Sequence, residues 1–272
     1  MKQDQPYEQH LQPYVVTTRR NRDHLNLQVD TDHSLEVLQI EDESNAEFCE
    51  LLNRSNQDAF GGPQDMGMPL WVLLDCGVLP SGVVGFMLPQ EHTPPEIIDK
   101  LDVDEDYDGP VPVSEYCGCP TVEDDCISGF SLHSQLVGHG IATRTKALAM
   151  VIYGARSQIG VTQFYNPAIR VHVRFGAMEV LTHRPAVHTH PEDSFVYRVE
   201  LPARKTLVNM ANGSDVFGDS TLPEGVRWEF DPDNEMQQGR LSRHLQDGGR
   251  VWLIPPGWRA TEEGCELHMV LE

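Results

Sequence analysis

Alternation of apolar and polar residues first appears at Leu35–Ile40, which predicts a strand with Leu35, Val37 and Gln39 on one face. The period then changes to a helical one over Glu41–Asn53. Phe48, Leu51 and Leu52 share a face there, and Asp42 or Ser44 can cap the start. Gly61, Gly62 and Pro63 break that pattern. Trp71–Cys76 and Gly82–Leu88 are apolar runs separated by turn chemistry, which predicts a hairpin. Cys126–His133 has strand composition. Ile141–Tyr153 reads as a helix with Ile141, Leu148 and Ile152 on one stripe. A strand over Val161–Tyr165, a helix over Pro167–Phe175 ended by Gly176, and strands at Met178–Leu181 and Ser194–Leu201 follow. Residues 1–34 show no clear period and are expected to form an N-terminal extension, either a mobile arm or a segment that packs late. Residues 202–272 read as a C-terminal β-rich extension with strands in VRWEF, RVWLIPP and CELHMVLE. Three of the four tryptophans lie there, which argues for packing rather than disorder. The pattern predicts a mixed α/β fold in which helices flank a sheet.

Charge narrows the function. The 272 residues include 42 Asp and Glu against 20 Lys and Arg, a net charge of −22. A surface this acidic repels nucleic-acid phosphates, so no nucleic-acid partner is expected, and a cationic or neutral partner fits better. Residues 89–125 hold 12 acids and one base and read as an acidic insertion between strands. No apolar run of about 18 residues marks a membrane span, and the N-terminus lacks an apolar signal core, so a cytoplasmic protein with no membrane partner is expected. The six cysteines are scattered and read as reduced thiols. Cys117, Cys119 and Cys126 lack the paired spacing of a zinc ribbon, and packed or loop thiols are the expected reading.

The stretch richest in chemistry is Cys126–Thr143, CISGFSLHSQLVGHGIAT. A strand enters a glycine-rich turn that opens a helix. Such a turn leaves backbone N–H groups unpaired at a positive helix end, where an anion can sit. No Gly-Lys-Ser/Thr follows, so it is not a Walker loop, and the third glycine of a dinucleotide fingerprint is missing. A bland strand–helix turn is the alternative reading.

In its order of elements and in two motifs the chain resembles the GNAT superfamily of acyl-CoA-dependent N-acyltransferases, most closely the branch acting on protein N-termini and small amines. The family's Arg/Gln-x-x-Gly-x-Gly/Ala motif is matched by Gln135, Gly138 and Gly140, or by Val137, Gly140 and Ala142 in a second register. The later family signature is similar to NPAIRVHVRFGAMEV, where Asn166, Arg174 and Gly176 hold their places. The expected Ser is missing, the segment is one residue short, and Ala177 replaces Phe. The resemblance spans about residues 35–201, with 89–125 as an interruption, and it implies a splayed, mostly antiparallel sheet.

The resemblance implies acetyl-CoA or another acyl-CoA as co-substrate, with no tightly bound cofactor. Leu132, Gln135, Val137, Gly138, His139, Gly140, Ile141, Ala142 and Thr143 would hold its pantetheine and pyrophosphate, joined by Asn166 and Arg174. His133 would be the base, with Ser131 and Ser134 as hydrogen-bonding neighbours. His172 would protonate the leaving thiolate, with Tyr165 as substitute. The plain alternatives are a surface histidine at a strand end for His133 and a half-exposed helical histidine for His172. The acceptor would be a small-molecule amine or a peptide; a homodimer stays open. The alternative function is a catalytically degenerate domain that binds acyl-CoA or a protein partner, with an acidic surface that mimics nucleic acid.

Two further patterns involve metal-ligating residues. Asp104, Asp106, Asp108 and Glu115 match a twelve-residue calcium loop with Gly109 at its sixth place, against the alternative of a solvated acidic loop. His183, His188 and His190 are expected to be surface or pocket-lining residues rather than ligands.

Overall fold

The computed structural model describes residues 7–60, 82–120, 125–185, 193–218, 222–262 and 264–272. In chain order its elements are β1 (Gln12–Thr17), α1 (Arg19–Arg22), β2 (Glu36–Gln39), α2 (Ala46–Phe60), β3 (Gly82–Leu88), α3 (Pro95–Leu101), β4 (Val111–Pro120), β5 (Asp125–Leu132), α4 (Ile141–Tyr153), β6 (Ser157–Gln163), α5 (Ile169–His172), β7 (Met178–His183), β8 (Ser194–Glu200), α6 (Arg204–Ala211), β9 (Val226–Phe230), α7 (Glu235–Gln246), β10 (Val251–Ala260) and β11 (Cys265–Leu271). The fold is mixed α/β, with largely antiparallel sheet flanked by helices, as the sequence predicts. The chain divides into two compact units, Met1–Ala155 with Arg204–Asp215, and Arg156–Ala203 with Val216–Glu272.

The first unit carries strands in the order β2-β1-β3-β4-β5. β1 runs parallel to β2 and antiparallel to β3, so residues 12–17 are an interior strand and not a mobile arm. Tyr14, Val15 and Val16 are fully buried there. Three consecutive apolar residues are too short a run to announce themselves by period, and sheet neighbours decide their state. On one face α2 lays Phe48, Cys49 and Leu52 against Tyr14, Val16, Val83 and Met87. α4 packs with β3, β4 and β5 and is covered by α6. Arg144 Nε donates to Ala211 O at 3.0 Å, and Arg204 Nη1 donates to Val151 O at 3.0 Å, which ties the two helices together.

The acidic stretch 89–125 contains α3 and a strand. Its second half is β4, paired along its length with β3 and β5. The partner of Gly82–Leu88 is therefore β4; the predicted partner Trp71–Cys76 lies outside the described residues. Composition misleads because β4 buries polar groups that have partners on the helices. Ser114 Oγ lies 2.7 Å from Thr145 Oγ1 of α4, and Glu115 accepts from Asn56 of α2.

The second unit carries β6-β8-β7-β10-β11-β9, antiparallel at every pair. The three C-terminal strands stand where the sequence places them, but they continue the sheet of β7 and β8 instead of forming an appendage. Phe164 anchors the core, with ring centroids 5.0 Å from both Phe195 and Phe230. α7 starts at Asn234, whose Oδ1 accepts from Met236 N and Gln237 N. Among the described residues no helix is long and apolar enough to cross a membrane.

Candidate functional site

β5 ends at Leu132 and the chain turns through a short 3₁₀ segment before α4. His133 O accepts from Leu136 N at 2.9 Å, and Leu136 is buried, which fixes the first half of the turn. The second half depends on two glycines with φ of +94° at Gly138 and +75° at Gly140, conformations that ordinary residues adopt only with strain. A Cβ built on either glycine would meet nothing within 4 Å, so the turn is open rather than plugged. Gly140 is the N-cap of α4; it has no side-chain cap, and no acid sits in the first helical turn. Among the described residues the amides of Gly138, Gly140, Ile141 and Ala142 donate to no backbone carbonyl. Buried Ile141 pins the helix start from below. The result is a thirteen-residue helix whose N-terminus has no side-chain cap, the geometry of a site suited to an anion. Gln135, Val137 and His139 belong to the turn and Thr143 to the first turn of α4. His139 also meets the Tyr7 ring edge-on at 5.2 Å.

His133 stands at the entry to this turn and is buried, 6% exposed, rather than a surface residue. Its Nε2 lies 3.3 Å from Ser55 Oγ of α2. The side chains of its expected partners Ser131 and Ser134 lie outside the described residues. Burial lowers the His133 pKa from its ordinary value; the Lys100 charge lowers it further and Asp58 opposes. Lys100 and Asp58 are themselves an ion pair at 2.6 Å. The ring is therefore neutral near pH 7 and able to accept a proton.

β4 adds a carboxylate that the sequence reading assigns elsewhere. Glu115 is buried, faces Ser131 in register, and accepts from Asn56 Nδ2 at 3.1 Å. α2 thus covers this part of the sheet with two adjacent polar residues, Ser55 on His133 and Asn56 on Glu115. The signal lay in α2: the apolar stripe of Phe48, Leu51 and Leu52 continues at helical spacing into Ser55 and Asn56, both buried. Glu115 in mid-strand is not the closing ligand of a calcium loop. Asp104, Asp106, Asp108 and Glu115 do not form a donor cluster among the described residues. The segment from Val111 onward is extended, which carries Glu115 away from the aspartates.

The other predicted residues belong to the second unit and have local partners. His172 is buried, not half-exposed; its Nε2 lies 3.2 Å from Tyr197 Oη, which also accepts from Gln158 Nε2 at 2.9 Å. Tyr165 donates to Asp233 Oδ1 at 2.8 Å, and burial together with that carboxylate raises its pKa, making it a poor acid. Asn166 Oδ1 accepts from Ala168 N at 2.9 Å and shapes the entry to α5. Arg174 stacks on Phe217 at 4.6 Å. His183 Nδ1 lies 2.7 Å from Ser242 Oγ, while His188 and His190 are outside the described residues.

No family model matches the chain, and no curated protein matches it significantly. Among solved structures it is similar to a domain from Methanocaldococcus jannaschii, with 14% identity, 59% of this chain and 94% of that one covered, and a TM-score of 0.37. It is also similar to an acetyltransferase of the GNAT family from Bacillus anthracis, with 14% identity, coverage of 56% and 90%, and a TM-score of 0.34.

Proposed function

We propose that the protein is an acyl-CoA-dependent N-acyltransferase, with acetyl-CoA as donor and a small amine or peptide N-terminus as acceptor. The observation that carries this reading is the open turn at Gly138–Ala142, where two glycines of positive φ lead into a helix N-terminus without a side-chain cap, next to a buried histidine. Backbone amides in that arrangement suit a diphosphate, which CoA supplies. An anionic ligand on a chain of net charge −22 needs such a local concentration of donors. In the reaction the amine nitrogen attacks the thioester carbonyl, the C–N bond forms and the C–S bond breaks. His133 takes the proton that the amine sheds, and the thiolate recovers one on leaving. The acidic surface favours an acceptor that arrives protonated and cationic.

Release of free thiol from acetyl-CoA over a panel of primary amines tests the reading. Turnover should occur with at least one amine and fall about 10²- to 10⁴-fold in His133→Gln, the range general-base catalysis contributes. Retained CoA binding without thiol release for any amine would replace catalysis with a binding role.

A further inference from the structure

The second unit holds a group of side chains unconnected with acyl transfer. β9, β11 and β10 lie side by side, with Glu229 opposite His268 and Arg259 opposite Glu266 in register. Glu266 and His268 alternate along β11 and so share a face, away from buried Cys265, Leu267 and Met269. Carboxylate oxygens of Glu229 and Glu266 and an imidazole nitrogen of His268 all lie within 4.8 Å of one another. Arg259 Nη2 takes one oxygen of Glu266, Oε2, at 2.5 Å. The other oxygen, Oε1, and Nε2 of His268 are both shielded from solvent and have no hydrogen-bond partner. Two shielded polar atoms left without partners on one strand face are costly unless something fills the space between them. Glu229 and Glu266 also line a cavity of about 640 Å³ with Asp231, Asp233 and Glu262. Five carboxylates thus line it, and a cation there would offset their mutual repulsion.

We propose that Glu229, Glu266 and His268 form a binding site for a divalent transition-metal ion of the zinc type. Two carboxylate oxygens and one imidazole nitrogen are a mixed hard and borderline donor set, which suits Zn²⁺ or Co²⁺ better than Ca²⁺ or Mg²⁺. Three protein ligands leave a fourth tetrahedral place open toward the cavity. Bonds of about 2.0–2.2 Å bring such ligands closer together than they stand here. Glu229 is the exposed member of the trio.

Calorimetric titration of the full chain with Zn²⁺, and absorption spectroscopy with Co²⁺, test the proposal. One ion should bind per chain, and Co²⁺ should give the intense visible bands of a tetrahedral site. Glu266→Gln and His268→Ala should each weaken binding by more than the about 10- to 100-fold that loss of an outer-shell partner costs. Asp233→Asn, in the same cavity but outside the donor trio, should leave binding unchanged. Exposed Glu229→Gln is the variant least able to disturb folding and should weaken binding as well. No binding of Zn²⁺, or binding that survives His268→Ala and Glu229→Gln, overturns the assignment. So does Ca²⁺ binding of equal strength, which would reduce the site to an acidic cavity.

Discussion

Burial denies His133 its charge, and that has a consequence for stability. The folded-state pKa lies below the ordinary 6.5, so the unfolded chain binds the proton more readily. The stability contributed by the neutral ring is complete above the unfolded value. It drains away as pH falls below 6.5 and through the folded pKa. Replacing His133 by Gln should flatten this part of the stability profile relative to wild type, measured by urea denaturation at stepped pH. An unchanged profile would mean that the ring charges freely. The thiol-release rate should follow the same group, rising with pH as His133 loses its proton and levelling off at lower pH than an ordinary histidine would give. At Gly140 the φ of +75° makes Ala cost about 1–2 kcal/mol in urea denaturation, with no added steric penalty because the Cβ direction is open. The same Gly140→Ala change should weaken CoA binding, since its methyl group stands where a diphosphate must approach. Unchanged CoA affinity would move the ligand elsewhere.

α2 and β4 show how local structure depends on partners. α2 roofs the sheet with Leu52, which is fully buried, so Leu52→Ala should cost about 2–5 kcal/mol in denaturant unfolding. A loss under 1 kcal/mol would place α2 outside the core. The helical period of this segment was legible, and so was α4, whose predicted bounds match the structure at Ile141–Tyr153. β4 was not legible. VPVSEYCGCP carries two prolines, a glutamate and a serine, and its polar side chains become strand-compatible only when Asn56 and Thr145 answer them from α2 and α4. β1 was hidden for a related reason: a short run of Tyr14, Val15 and Val16 has no period of its own, and β2 and β3 on either side make it a strand. α6 and α7 were missed among polar residues, although Asn234 ahead of Glu235 was a readable cap.

Across the molecule the sign of the charge dominates. At −22 the folded chain repels itself, and added salt screens that repulsion. Raising NaCl from about 0.01 M to 0.15 M shortens the screening length from about 30 Å to 8 Å, and the melting temperature should rise. A fall would mean that attractive ion pairs, such as Lys100–Asp58, outweigh the repulsion. Of the candidate site, the turn and His133 were legible because backbone geometry follows from Gly138 and Gly140. Ser55 meets His133 and Asn56 meets Glu115 from distant sequence positions; the α2 stripe marks the first two as inward-facing, but not which partners they meet. The central claim is that the open turn holds the diphosphate of CoA. Calorimetric titration of the full chain with CoA and acetyl-CoA tests it directly. Saturable one-to-one binding that weakens in Gly140→Ala is the predicted result; no heat and no thermal stabilisation with either ligand would contradict it.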